Sequence, residues 1–292
     1  MLNRRFILKS LALMPVLPAL SFAKSEENGC SKLKTSLNSF SFDGPLKAGK
    51  INLFQVIDYC HEHNFDAVDI TGYYFPGYPN VPNDDYLYDL KRKAIQLGLE
   101  ISGTGIRTDF ATTDVAKRKE QIQLVKNWIE VAQKLGAPVI RIFTGGATPQ
   151  GHTWEQCANW IIEDIKECVD FGKNHGVIVA IQNHNDFIKT PAHLHYFFEK
   201  INDPWFGLIM DTGGFRGGET YNDTEETIKY AVNWQIKEKI FVDNVEMDTD
   251  IKRLIQIIKN SCYKGYIPIE TLGAGDPHPK IQKLMSEIRK YL

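Results

Sequence analysis

Four apolar runs in the second half of the chain end in residues able to do chemistry. Ala180-Ile181 leads into Gln182-Asn183-His184, and Leu208-Ile209-Met210 into Asp211-Thr212-Gly213-Gly214. Val232-Asn233-Trp234 leads into Gln235-Ile236-Lys237, and Ile267-Pro268-Ile269 into Glu270. Gln182, Asp211, Gln235 and Glu270 would offer two carboxylates and two amide oxygens. Such an all-oxygen set suits Mg2+ or Mn2+, with waters completing six ligands, better than it suits zinc. Each residue taken singly has a plainer use: Asp211 at a strand end is as well suited to capping the next helix. Arg141 is charged inside an apolar run, which expects it to point inward and meet an acid or a substrate.

To converge, these residues need a scaffold that brings strand ends together, and the rest of the sequence describes one. Short apolar runs alternate with longer amphipathic ones eight times, the strand candidates being 33–40, 67–70, 99–103, 139–143, 177–182, 206–211, 231–237 and 266–270. Between them the 3.6-residue period predicts helices, with Leu53, Val56, Ile57 and Cys60 on one apolar face. Ile122, Val125, Ile129 and Ala132 form a second such face, and Ile251, Leu254, Ile255 and Ile258 a third. Thr190-Pro191 marks a helix start, while Gly136 and Gly176 mark helix stops. Strands apolar throughout, rather than alternating, are buried on both faces, as in a parallel sheet covered by helices. Eight β–α units over residues 33–292 match a single α/β domain, a closed (β/α)8 TIM barrel, rather than an open doubly wound sheet. In that architecture the active site lies at the carboxyl ends of the strands, where the four polar endings fall. Pro268 resists, because a closed barrel has no free edge for a residue without an N–H; a local bulge is expected there.

The first 23 residues differ from the rest. Arg4, Arg5 and Lys9 precede an apolar run over 11–20, and Ser21-Phe22-Ala23 ends it in the manner of a signal-peptidase site. Pro15 and Pro18 break a run already too short for a membrane span. Arg4-Arg5-Phe6-Ile7-Leu8-Lys9 resembles a twin-arginine export signal, with Ile7 where Phe is usual. The expected layout is a signal peptide at 1–23, a flexible N-terminal segment at 24–32 and the barrel at 33–292, in a periplasmic or otherwise exported protein with no membrane attachment after signal removal. The 292-residue chain has 34 basic and 36 acidic residues; removal of the signal leaves 31 against 36. A net negative protein is a poor partner for nucleic acid. Five cysteines without CxxC spacing suggest packed thiols, not a disulfide framework or a zinc ribbon.

The segments around Gln182-Asn183-His184, Asp211-Thr212-Gly213 and 266–270 resemble the xylose isomerase-like barrel superfamily, the sugar phosphate isomerase/epimerase group. The resemblance extends over essentially the whole chain after the signal. It implies a metal held from the fifth to eighth strands by positions that are commonly Glu, Asp, His and Glu, and that are here Gln182, Asp211, Gln235 and Glu270. Gln235 has precedent in hydroxypyruvate isomerase-like members, whereas Gln182 removes one of the two glutamates that shuttle the proton in the family's sugar epimerases. Glutamine has no proton to trade near neutral pH, so a symmetrical two-base epimerase is disfavoured. The period of two in a strand would set His184 beside Gln182 and Lys237 beside Gln235. Glu270 or His184 as base, with Lys237 stabilising an enolate oxygen beside a polarising metal, is chemically sufficient. His184 would otherwise orient a ligand from behind, and Lys237 would pair with an acid such as Glu238.

The expectation is therefore an enzyme, a divalent-metal-dependent sugar isomerase or epimerase that abstracts a proton next to a carbonyl. Its cofactor would be Mn2+ or Mg2+, its ligand a small carbohydrate, and its assembly, by family analogy, a homo-oligomer. Candidate substrate contacts are Arg141, Asn183, Arg216 and Tyr74, the last in the aromatic turn Tyr73-Tyr74-Phe75-Pro76-Gly77-Tyr78. The alternatives are a metal-dependent lyase or dehydratase acting on a 3-keto-glycoside or ketosugar, and a non-catalytic carbohydrate-binding barrel. A DNA-repair nuclease of the endonuclease IV type is disfavoured, since it would need a histidine-rich zinc site.

Overall fold

The computed structural model describes residues 32–184, 187–216 and 218–292. Its strands are β1 (Lys34–Asn38), β2 (Ala67–Thr71), β3 (Glu100–Gly105), β4 (Val139–Ile142), β5 (Ile178–Gln182), β6 (Phe206–Asp211), β7 (Ala231–Gln235), β8 (Lys239–Val242), β9 (Val245–Asp248) and β10 (Tyr266–Ile269). Eight of them form one parallel sheet in the order β10-β1-β2-β3-β4-β5-β6-β7, and a parallel bridge between Ile236 and Ile269 joins its ends. Helices alternate with the strands, as in a (β/α)8 barrel, and all eight predicted strands are present. The expected signal peptide and almost all of the 24–32 segment lie outside the described residues. No helix among the described residues is long and apolar enough to cross a membrane.

The core divides as the sequence pattern dictates. Leu53, Val56, Ile57 and Cys60 on the helix Leu53–Glu62 are buried against the sheet, as are Ile122, Val125, Ile129 and Ala132 on Val115–Leu135. Within the barrel a second, smaller apolar layer forms from Val139, Ala180 and Ile209, with Ile178 and Val232 packed on it. This layer floors the barrel, so polar residues two positions further along the same strands face its mouth. Thr190 caps the helix Pro191–Ile201 by accepting from the His193 N–H, and Gly136 (φ 78°) and Gly176 (φ 67°) end their helices in the left-handed region.

Pro268 needs no bulge. Its carbonyl accepts from the Ile236 N–H at 2.8 Å, on the side facing β7. Its missing N–H falls on that same side, where pairing is reduced to the one bridge at Ile236. Proline therefore sits at the barrel's seam; the register shifts occur instead between β2 and β3 and between β6 and β7.

Two further features depart from the sequence reading. An antiparallel hairpin, β8–β9, follows β7, turning at Asp243 and Asn244 with φ of 48° and 64°. That pair of left-handed residues is the signature of a two-residue hairpin turn. Among the cysteines, Cys60, Cys157 and Cys168 are buried thiols as expected, but Cys262 is disulfide-bonded.

Candidate active site

Gln182 and Asp211 close β5 and β6, Gln235 closes β7, and Glu270 follows β10 directly. All four are buried. Gln182 pairs with Ile209 and Asp211 with Gln235; Gln182 reaches Asp211 by a side-chain hydrogen bond, and Gln182, Gln235 and Glu270 line one cavity. Lys237, two residues past Gln235, turns inward: its Nζ lies 2.7 Å from Asp211 Oδ2 and 3.3 Å from Glu270 Oε1. The Gln182 Nε2 donates to the same Asp211 Oδ2 at 2.6 Å, and the Gly213 N–H donates to Oδ1 at 2.8 Å. The amide oxygens of Gln182 and Gln235 are buried and accept no hydrogen bond from any described residue. A buried acceptor left so costs about 1–3 kcal/mol, which a ligand's hydroxyl would relieve.

Electrostatics in this cluster are set by burial. Burial pushes the Glu270 carboxyl above the ordinary glutamate range; Asp211 adds to the push, and Lys237 and Arg141 oppose it without cancelling it. For Lys237 burial favours the neutral amine, but Asp211 and Glu270 together outweigh it and raise the group. It stays an ammonium.

A cavity of about 250 Å3 opens at these residues, lined by Gln182, His184, Gln235, Lys237 and Glu270 together with Tyr73, Arg107, Arg141, Phe143, Phe40 and Leu272. Arg141 enters it from β4, donating to the Tyr73 hydroxyl at 2.9 Å, with its guanidinium 4.4 Å from the Phe143 ring centre. Gly105 in β3 makes room: a Cβ there would stand 2.6 Å from Arg141 Nε. A second cavity of about 480 Å3 adjoins the first, sharing His184, Lys237 and Leu272. Arg216, Phe241 and Glu246 line it, so the β8–β9 hairpin supplies one of its walls.

The predicted substrate contacts divide. Arg141 lies in the first cavity and Arg216 in the second, where Arg216 donates to the Gly213 and Phe215 carbonyls at 2.6 Å and stacks on Phe241. Tyr74 does not line either cavity; its hydroxyl donates to Asp43 Oδ1 at 2.7 Å, and its neighbour Tyr73 takes the place expected of it. Asn183 is fully buried and braces β6, donating to the Asp211 carbonyl at 2.8 Å and accepting from the Asp211 N–H at 2.7 Å. It positions Asp211 and is not among the residues lining either cavity. His184 lines both cavities, edge-on to Phe143. Lys237 pairs with Asp211 and Glu270, not Glu238.

One charged group went unread. Asp69, inside β2, accepts from Asn38 Nδ2 and Asn233 Nδ2, both at 3.2 Å. Burial lifts its carboxyl to about 7; Arg141 and the Asn233 bond oppose the rise, and the Glu270 charge adds to it. A lone carboxylate in the run Ala67-Val68-Asp69-Ile70 was the available signal.

The expected metal set comes together but does not fit a divalent cation as arranged. Both oxygens of Asp211 are taken by N–H donors, two of the four ligands are neutral amides, and an ammonium already bridges the two carboxylates. Among the described residues no group of three His, Cys, Asp or Glu side chains is placed to hold a metal.

Comparison with known proteins agrees with this architecture. Residues 57–291 match the model of the family described as xylose isomerase-like TIM barrel. No curated protein matches the sequence. Among solved structures, a 3-keto-D-glucoside 4-epimerase (YcjR) from E. coli superposes with a TM-score of 0.72 at 13% identity, over 89% of this chain and 100% of that one. A D-psicose 3-epimerase from Clostridium cellulolyticum H10, solved with D-tagatose, gives 0.73 at 14% identity, over 89% and 99%. The IolI protein with a bound zinc atom gives 0.73 at 16%, also over 89% and 99%. At such identities the likeness speaks for the fold.

Proposed function

Because the chain belongs to the xylose isomerase-like TIM barrel family, we propose that it is a sugar isomerase- or epimerase-like enzyme that removes a proton from a carbon next to a carbonyl, with Glu270 as the base. The observation that carries this reading is the pairing of a buried carboxyl, raised above its ordinary range, with a buried ammonium 3.3 Å away in the same cavity. Proton abstraction next to a carbonyl needs both: a base to take the proton and a cation to hold the enolate oxygen that forms. Glu270 takes the proton, and the C–H electron pair moves into the C–C bond while the carbonyl oxygen gains charge. Lys237 donates to that oxygen. Return of the proton to the former carbonyl carbon, with the hydroxyl proton of the carbon that lost it passing to the first oxygen, moves the carbonyl and gives isomerisation. Return to the other face of the original carbon by a second donor gives epimerisation. His184, which lines the same cavity, is the candidate for that second donor.

Gln182 and Gln235 do not exchange protons with the reacting carbon. Their amide oxygens accept from sugar hydroxyls and so fix the ring over Glu270. Arg141 orients the substrate from β4, its charge held by Tyr73 and the Phe143 face. The named activities of two solved neighbours, epimerisation of a 3-keto-D-glucoside and of D-psicose, support a carbohydrate ligand.

A β-elimination is the second reading, favoured by the adjoining 480 Å3 cavity. A glycoside with its keto sugar over Glu270 would place its leaving group there. Export is proposed from the twin-arginine-like signal, and the Cys262 disulfide accords with an oxidising compartment.

Incubation with ketoses, aldoses and 3-keto-glycosides in D2O tests the function. Deuterium at the carbon beside the carbonyl is expected for at least one class, and release of an aglycone would select the elimination. No exchange across the panel, with binding detected, would instead make the protein a carbohydrate-binding barrel.

A further inference from the structure

We propose that the Lys237 ammonium stands in the place of a divalent cation, so that this barrel works with a built-in cation and binds no metal in its active site. The inference takes the reading of this cavity as the reaction centre as its starting point. Asp211 and Glu270 come from the ends of different strands and are both buried within reach of one side chain, and two buried like charges so placed need a positive charge between them. Lys237 provides it, with Nζ at 2.7 Å and 3.3 Å from the two carboxylates.

The surrounding side chains are fitted to an ammonium. A glutamate at position 182 would repel Asp211 and call for a dication to bridge them. Gln182 instead donates its own N–H to Asp211 Oδ2, at 2.6 Å. With Lys237 on the same oxygen and the Gly213 N–H on the other, Asp211 directs both oxygens at hydrogens rather than at a metal. The lysine is also seated, not swung in from the surface. Its backbone N–H donates to Thr212 Oγ1 at 2.9 Å, and its stem crosses Gly213, where a Cβ would stand 3.1 Å from Lys237 Cδ. Only 12% of its side chain is exposed.

The chemistry that follows is narrower than that of a metal site. A single positive charge with N–H donors stabilises an enolate oxygen but polarises a hydroxyl weakly, so the substrate must arrive with its carbonyl already formed. This selects keto sugars and oxidised glycosides, and for the glycosides it makes an oxidation of a sugar hydroxyl the class of reaction that supplies the substrate.

Metal analysis of the protein as purified, and titration with Mn2+ followed by the electron paramagnetic resonance signal of the free ion, test this without any substrate. Wild type is expected to carry far less than one equivalent of metal and to leave added Mn2+ free. Lys237→Met, which uncovers the two carboxylates, is expected to bind Mn2+ at least tenfold more tightly, and Lys237→Met with Gln182→Glu more tightly still. One equivalent of tightly held metal in the wild type, or Mn2+ binding as tight as in the variants, overturns the proposal. The wild-type measurements decide even if the variants do not fold. An absence of sugar turnover would count against the functional reading and leave this result standing.

Discussion

Lys237 Nζ and Glu270 Oε1 lie 3.3 Å apart in the barrel mouth, both side chains largely buried. The pair joins the end of the seventh barrel strand to the end of the eighth, and it sets the direction of the chemistry: a base beside a fixed positive charge. Each partner alters what the other can do, since the ammonium keeps the carboxylate from rising further and the carboxylate keeps the amine charged.

Replacement of the base is the first consequence. Glu270→Gln keeps the shape and removes the proton acceptor, so kcat should fall by about a hundredfold to ten-thousandfold while ligand binding is retained. Steady-state rates with calorimetric binding check this; a variant losing binding and rate together would point to a structural role.

The pH profile follows from the raised Glu270 carboxyl. Glu270 is active only without its proton, so kcat/KM should rise with pH through a limb lying above the ordinary glutamate range. Lys237, raised by its two carboxylates, stays charged through neutral pH and sets no limb there. A rate constant from pH 5 upward would contradict the assignment.

Asp69 makes a separate forecast about stability. Its carboxyl titrates at 3.8 in ordinary surroundings and at about 7 in the fold, so the folded state holds the proton more tightly. Its contribution is fully present below 3.8 and is lost as pH rises toward 7, amounting to at most about 4 kcal/mol. Denaturation of Asp69→Asn should show a flatter loss of stability across that window than wild type, and superimposable slopes would refute the shift.

The eight strands were legible because their apolar runs and the helices between them repeat with distinct periods, and the four polar strand ends followed from the architecture. Side-chain partners were less legible. Lys237 was read onto the correct side, but Asp211 and Glu270 lie 26 and 33 residues away in sequence, and only the closed sheet makes them neighbours. Tyr74 and Tyr73 exchange places because Gly72–Tyr74 is a 3-10 turn, whose direction strand alternation does not give. The β8–β9 hairpin escaped because Asp243-Asn244 lacks the glycine that usually marks such turns.

Gly105→Ala probes the notch that admits Arg141. A Cβ 2.6 Å from Arg141 Nε forces the guanidinium off Tyr73 and should destabilise the fold by about 1–3 kcal/mol. KM should rise more than kcat falls. Unchanged melting and unchanged KM would mean that Arg141 has room elsewhere and does not position the substrate.

Arg216 separates the two cavities' roles. It lines only the larger one, beside Phe241 and Glu246. For Arg216→Met, KM should increase several-fold for a keto-glycoside and stay unaltered for a free ketose; equal effects on both would exclude a divided site.

Loss of label from a substrate deuterated next to its carbonyl, followed in H2O by nuclear magnetic resonance, tests proton removal by Glu270 most directly. Wild type should wash the deuterium out and Glu270→Gln should retain it while still binding the sugar. Washout at the wild-type rate in Glu270→Gln would show that another group is the base.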